Sequence, residues 1–239
     1  MLLTLSNLQA LRSTVVPTLN SQFENAFSVK LSDESKTIKD VLNQIDAKLF
    51  KSYTQPFVDH MRHLVQTGIR ADDWAPPAGS KPTGPRPYVY DCLLRLVLVH
   101  FQVSTTAPTL TGQVLSYLLE QLTREMADAM RLRPRYPLEF LIQATLDVEF
   151  VAHTLALYTT PVASELQSGI YAELDSRTDD DARASLQGEL PDMRNLLKKL
   201  REASKAEFAC FRKQKRQPTQ DTPAAAAAGG GSTPNTVHV

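Results

Sequence analysis

A glutamate and a histidine stand four residues apart in the stretch DVEFVAHTLALYTTP, at Glu149 and His153. If this stretch is helical, both side chains project from the same face, because residues four apart are about one turn apart. A carboxylate and an imidazole at this spacing could supply two ligands to a metal ion or form an acid–base pair. A metal-dependent hydrolase using Glu149 and His153 is therefore one functional hypothesis.

The rest of the sequence does not complete such a site. A catalytic zinc ion normally takes three protein ligands and keeps one open position. The other histidines fall in no zinc-binding motif: His60, His63, His100 and His238. The sequence also contains neither a nucleophile elbow nor a phosphate-binding glycine loop. We therefore interpret Glu149 and His153 as a packing pair, and we predict no enzyme activity, no cofactor and no small-molecule substrate.

The composition limits the remaining classes of function. Lysine plus arginine equals aspartate plus glutamate at 26 each, so no overall field attracts nucleic acid. Cys92 and Cys210 are far apart and fit neither a disulfide framework nor a zinc site, which favours a reducing, cytoplasmic setting. Residues 1–12 lack the basic start of a secretory signal, and the apolar run 93–103 is too short to cross a bilayer. Any membrane contact is expected to be peripheral.

Charge is segregated along the C-terminal third of the chain. Residues 173–192 contain seven acidic residues against two arginines, whereas residues 193–216 contain nine basic residues against two glutamates. On a continuous helix, six of these basic residues fall on one line: Arg194, Lys198, Arg201, Lys205, Arg212 and Arg216. A solvated face that follows the helix dipole explains this pattern, and so does a contact strip for an acidic partner or for anionic lipid.

These residues must be positioned by helices, because apolar residues recur at helical spacing along most of the chain. Seven helices are expected, at residues 1–27, 36–65, 88–104, 109–132, 138–158, 161–174 and 179–217. Pro17 should bend or interrupt the first helix, and Thr160 with Pro161 should start the sixth. We expect residues 88–104 to form a buried helix, and residues 138–158 to bury one apolar seam containing Val151 and Leu155.

Proline and glycine divide this all-α chain into segments. Residues 1–74 are expected to form a first helical group, and residues 75–87, with five prolines and two glycines, a connection of defined stiffness. Residues 88–217 are expected to form a second helical bundle. The low-complexity tail 218–239 has almost no bulky apolar residues, so we expect it to be disordered. The predicted architecture is stacked antiparallel helical bundles.

Four stretches of the sequence, taken together and in order, resemble one known family. They are IKDVLNQIDAKLFKSY (38–53), KPTGPRPYVYDCLLRLVLVHFQV (81–103), LIQATLDVEFVAHTLALYTTPVAS (141–164) and LLKKLREASKAEFACFR (196–212). They resemble the C-terminal part of the second component of the exocyst, the complex that tethers secretory vesicles to the plasma membrane. The resemblance covers residues 1 to about 212, and none of the stretches is catalytic.

The resemblance implies a rod of stacked helical bundles and a scaffolding role. The implied partners are the other exocyst subunits, in the cytoplasm and at plasma-membrane sites of exocytosis. Family members are much longer, and the GTPase-binding domain of animal members lies in an N-terminal region with no counterpart here. GTPase binding is therefore not expected of this portion. A helical subunit of a different tethering complex remains the alternative of the same class.

Overall fold

The structure is a computed structural model that describes residues 1–70, 79 and 81–212. Within these residues all regular structure is helical, which confirms the predicted all-α class. The α-helices are α1 (Leu2–Ala10), α2 (Val16–Phe27), α3 (Ser32–Arg70), α4 (Pro87–Thr106), α5 (Thr111–Met130), α6 (Leu138–Thr154), α7 (Pro161–Ser176) and α8 (Asp180–Ala203). No helix of this part of the chain is long and apolar enough to cross a membrane.

Pro17 does not interrupt the first helix, because a π turn accommodates it. The π turn Leu11–Val15 joins α1 directly to α2, so that the helical path continues to Phe27. Proline has no amide hydrogen to donate to the carbonyl four residues earlier, and a wider turn placed just before it removes the need for that bond. The helix ends at Ser28, which adopts the left-handed conformation common after helix ends, with φ of 53°.

Helix α3 belongs to the core through its C-terminal half only. Its 39 residues span roughly 58 Å at 1.5 Å per residue. The buried side chains beyond its midpoint include Tyr53, Val58, Met61, Val65 and Ile69, whereas Leu42 is the only buried one before it. The N-terminal half therefore extends away from the core and pairs with α2.

The core is formed where α3 packs against α4 and α5, α5 against α7, and α6 against α8. Helix α6 is more central than its predicted single seam implies. Every residue from Leu141 to Val148 is buried, including the polar residues Gln143, Thr145 and Asp147. Val151 and Leu155 are buried as predicted. A helix enclosed on most sides cannot be recognised from one seam, because its other faces also carry apolar residues.

Helix α4 agrees with the prediction in type but is buried on one side only. Val89, Leu93, Leu96 and other residues of that side are inside the core. The opposite side exposes Leu94, Leu98 and Phe101, with Phe101 68% exposed. The start of α7 also agrees with the prediction, since the Thr160 hydroxyl oxygen accepts a hydrogen bond from the Ala163 amide at 3.1 Å.

One continuous hydrophobic core includes residues from both sides of the proline-rich connection, from Leu2 to Phe211. The division into two helical groups therefore stays a prediction, because much of the connection (71–78 and 80) lies outside the described residues. The predicted disordered tail, residues 218–239, lies outside them as well.

Candidate functional site

Glu149 and His153 face each other on α6, and Glu149 is also bound by a residue of α7. The Nε2 atom of His153 lies 3.4 Å from Oε2 of Glu149. The other glutamate oxygen, Oε1, accepts a 2.6 Å hydrogen bond from the hydroxyl of Tyr171 on α7. Burial, and then the bond to Glu149, raises the pKa of Tyr171, so the phenol remains a donor. Glu149 therefore joins α6 to α7.

No third metal ligand accompanies this pair in the described part of the chain. Residues 1–70 and 81–212 contain no group of three or more His, Cys, Asp or Glu side chains that could hold a metal ion. His60 and His63 are exposed on α3. His100 packs edge-on against Phe211, and burial lowers its pKa. His238 lies outside the described residues.

The two cysteines are not poised for nucleophilic chemistry. Cys92 is buried in α4, and burial raises the pKa of its thiol to about 12. Burial likewise raises the pKa of the partly buried Cys210. A reactive cysteine needs a lowered pKa and access to solvent, so both thiols are packing groups.

The described residues of the predicted basic strip do not all lie on one helix, and this part of the prediction is wrong. Helix α8 ends at Ala203, well before the predicted end at residue 217. The Ser204 hydroxyl donates to the Leu200 carbonyl, and the chain turns so that Phe208 and Phe211 enter the core. Lys205 and Arg212 therefore lie beyond the helix, and Arg216 lies outside the described residues.

The first half of the strip remains a cationic surface on α8. Arg194, Lys198 and Arg201 are exposed and spaced four and three residues apart, so they share one side of the helix. None of the three forms an ion pair within the described residues. Lys205 is paired with Glu202 at 3.3 Å, and Arg212 donates from Nη2 to the Arg201 carbonyl at 2.8 Å.

A cleft of about 290 Å³ lies between the end of α6 and the turn that follows α8; we call it the α6–α8 cleft. Its basic side chains come from three separate segments: His153 from α6, Arg201 from α8, and Arg212 from the end of the described chain. Phe208 and Leu157 contribute apolar lining. The sequence pattern grouped Arg201 with Arg212 but did not connect either of them to His153.

A buried carboxylate that the sequence analysis did not single out joins α4 to α6. Asp147 is fully buried, and its Oδ1 accepts hydrogen bonds from the Arg86 amide at 3.0 Å and from Nε2 of Gln143 at 2.9 Å. Its Oδ2 accepts from the Tyr88 hydroxyl at 2.9 Å. The one available signal was an acid inside an apolar helical run, because buried charges require partners.

The same contact depends on a close approach of α3 and α4. A Cβ atom added to Gly68 would lie 2.5 Å from Cβ of Tyr88. Only glycine allows this distance, so Gly68 fixes how near the end of α3 comes to the start of α4.

The π turn and α2 run antiparallel to the first half of α3. We call this pair the N-terminal hairpin, and polar groups line its interior. Asn20 donates to Ser35 at 2.5 Å, and Arg12 lies 3.5 Å from Asp46. The Glu24 carboxylate accepts from the Leu31 amide at 2.7 Å. A cleft of about 700 Å³ separates the two helices. Helix α2 buries no residue, so apolar packing contributes little to the hairpin.

The outer side of the N-terminal hairpin carries its apolar residues. We call these the hairpin face: Leu19, Phe23, Phe27, Ile38, Val41 and Ile45, which are between 40% and 64% exposed. On each helix, the residues at the centre of this face are rotated by roughly a quarter turn about the helix axis from the residues that contact the other helix. Because the two helices are antiparallel, this is the same side of the hairpin for both. Exposed apolar side chains gathered on one side in this way are typical of interaction sites.

Comparison with known proteins gives the chain a family. The sequence model of the family described as exocyst complex component Sec5 matches residues 1–211. Exocyst complex component 2 of Homo sapiens is 30% identical over 122 residues, which cover 50% of this chain and 13% of the human protein. Exocyst complex component 2 of Mus musculus is 26% identical over 175 residues, which cover 71% of this chain and 18% of the mouse protein.

The match therefore spans less than a fifth of either relative. No solved structure matches the chain. The family match covers nearly all of the residues that the structure describes. It includes α1 to α8, the hairpin face and all of the α6–α8 cleft except Arg212. The chain belongs to the Sec5 family of exocyst complex components.

Proposed function

We propose that this chain is a non-enzymatic structural part of an exocyst subunit, which tethers secretory vesicles to the plasma membrane before fusion. Its partners on this proposal are other exocyst subunits. It works in the cytoplasm and reaches plasma-membrane sites of exocytosis peripherally, as part of the complex. Family membership supports this role, and no GTPase binding is proposed for this portion.

The hairpin face is the observation that carries the proposal. Exposed leucine, isoleucine and phenylalanine side chains on two neighbouring helices are unfavourable in water, and covering them is worth roughly 25 cal/mol per Å² of apolar area. None of them lines the cleft inside the hairpin, whose lining includes polar residues such as Asn20 and Arg12. A helical partner that covers this face would stabilise both components, as expected of a subunit that acts by assembly.

Affinity purification of the full 239-residue chain from its own cells, followed by mass spectrometry, tests the proposal. We expect other exocyst subunits to co-purify with the unmodified chain. Phe23→Asp places a charge in the hairpin face and should remove them. Asn25→Asp adds the same charge at an exposed polar position of α2 and should leave recovery unchanged. Equal recovery with both variants would reject the hairpin face as the assembly surface.

We propose a second role for the strip on α8, as a peripheral contact with anionic membrane. Arg194, Lys198 and Arg201 support it, because they are exposed, share one side of the helix and have no carboxylate partner among the residues described. Each basic residue near an anionic bilayer contributes about 1 kcal/mol.

Vesicle co-sedimentation tests this second role. Changing Lys198, Arg201 and Lys205 together to glutamate should abolish binding to vesicles that contain anionic lipid. The matched control reverses charge on α3, at Lys36, Lys39 and Lys48, and should retain binding. Binding that survives the α8 variant would remove the strip as a membrane contact. An acidic protein partner, the other interpretation of the strip, would instead be lost from the purified complex without any change in vesicle binding.

A further inference from the structure

The α6–α8 cleft places cationic groups at a defined cavity, whereas the strip on α8 is a surface without a cavity. Arg212 donates through Nη2 to the Arg201 carbonyl at 2.8 Å, and this bond holds its guanidinium at the cleft. Arg201 and Arg212 have no carboxylate partner within the described residues. By contrast, Arg177 pairs with Glu173, and Arg183 with Asp175 and Asp180. Two arginines without a carboxylate partner in the described part of the chain therefore line one cavity.

The carboxylate that contacts His153 does not cancel their charge. Glu149 lies 3.4 Å from Nε2 of His153, and its other oxygen is engaged by Tyr171. Glu149 is therefore engaged by His153 and Tyr171, and it pairs with neither arginine. The net positive charge of the cleft comes from Arg201 and Arg212.

The chemistry of the lining selects the class of ligand. A guanidinium group presents N–H donors in a planar fork that matches two oxygens of a phosphate, and a phosphate monoester offers three strong acceptor oxygens. The volume of about 290 Å³ suits a compact head group. Phe208 and Leu157 provide apolar lining beside the cations, which a sugar or inositol ring can contact.

We propose that the α6–α8 cleft binds a phosphate monoester on the head group of an inositol lipid. Arg194 and Lys198 favour a lipid source, because they continue from Arg201 along the same side of α8 and offer cations to a flat anionic surface. This inference rests on the membrane role proposed for the strip and names its specific ligand. Residues of two helices and of the turn after α8 are needed to build the site.

Binding of the full chain to soluble inositol trisphosphate, and to vesicles of phosphatidylcholine with phosphatidylinositol bisphosphate, tests the proposal. We expect saturable binding of both, weakened at least about tenfold by Arg201→Gln, the equivalent of about 1.4 kcal/mol. Arg201→Lys keeps the charge and should also weaken the soluble head group, because a lysine lacks the planar fork. Lys199→Gln removes one charge from the same exposed helix outside the cleft and should have little effect.

The outcomes separate the cleft from the strip. Equal weakening by Arg201→Gln and Lys199→Gln would overturn the cleft while leaving a diffuse membrane contact. Vesicle binding without saturable binding of the soluble head group would do the same. No binding of either probe would overturn both proposals. Preferential binding of a phosphoserine peptide over both inositol probes would overturn the lipid source.

Discussion

Removing the buried carboxylate of Asp147 should destabilise the protein strongly. In Asp147→Ala, three hydrogen bonds are lost, from the Arg86 amide, the Tyr88 hydroxyl and one N–H of the Gln143 side chain. The Nε2 atom of Gln143 keeps its other bond, to the Gly84 carbonyl at 3.1 Å. Each buried donor left unsatisfied costs about 1–3 kcal/mol, so a loss of at least about 3 kcal/mol in the free energy of unfolding is expected. Domains are typically stable by only about 5–15 kcal/mol, which makes this a large fraction of the total.

Two further variants provide reference values for the stability loss in Asp147→Ala. Tyr88→Phe removes one donor and leaves Oδ1 of Asp147 with both of its own, so about 1.5–3 kcal/mol should be lost. Asp91→Ala removes an exposed carboxylate from the same helix as Tyr88 and should change stability by less than about 0.5 kcal/mol.

Urea unfolding followed by circular dichroism measures these differences. At a slope of about 2 kcal/mol per molar, the Asp147→Ala midpoint should fall by at least about 1.5 M. A slope that stays constant across the three variants would show that the folded state, and not the compactness of the unfolded state, has changed. If Asp147→Ala loses no more than Asp91→Ala, the carboxylate does not hold α4 to α6, and our account of the contact is refuted.

Three other predictions concern packing and ionisation. Leu155→Ala should lower the free energy of unfolding by about 2–5 kcal/mol, because it opens a cavity in the core. His153→Ala changes a half-exposed position and should lower it by less than about 1 kcal/mol in the same urea assay. Equal losses in the two variants would contradict the packing interpretation of α6. Gly68→Ala should lower the melting temperature, because its Cβ would meet the side chain of Tyr88 on α4 at 2.5 Å. An unchanged melting temperature would show that α3 and α4 can move apart at no cost. Burial raises the pKa of Tyr136 from 10.0 to about 12, so the folded state favours the neutral phenol. The stability that this preference gives is lost as the pH rises from 10 through 12. An ultraviolet titration that finds the ordinary pKa for Tyr136 in the folded protein would contradict this prediction.

Much of the fold could be predicted from the sequence because the helices are amphipathic at the expected period. The start of α7 was predicted at Pro161, where the chemistry is local: a hydroxyl cap followed by a proline. The end of α8 was not predictable in the same way. The basic residues continue the helical pattern past Ala203, but Phe208 and Phe211 turn into the core to meet Tyr90 and His100, and these contacts are distant in sequence.

The candidate sites also divide into those set by local sequence and those set by contacts distant in sequence. The exposed side of α8 follows from spacing within one helix, and that spacing predicts a shared side for Arg194, Lys198 and Arg201. The α6–α8 cleft and the Asp147 contact depend on residues about 50 to 60 positions apart that only the packed bundle brings together. The hairpin face could not be predicted, because helical period alone does not say which side of a helix faces its neighbour. In this hairpin the polar sides of the two helices face each other.

The central claim is that this chain acts by assembly through the hairpin face, and side-chain footprinting in the intact complex tests it most directly. Hydroxyl-radical labelling of Leu19, Phe23 and Phe27 would be compared between the isolated chain and the purified exocyst that contains it. Our account predicts strong labelling of all three in the isolated chain and marked protection in the complex, while exposed Phe101 of α4 provides the comparison within the same sample. If the three side chains remain as accessible in the complex as in the isolated chain, the hairpin face is not an assembly surface and the claim is contradicted.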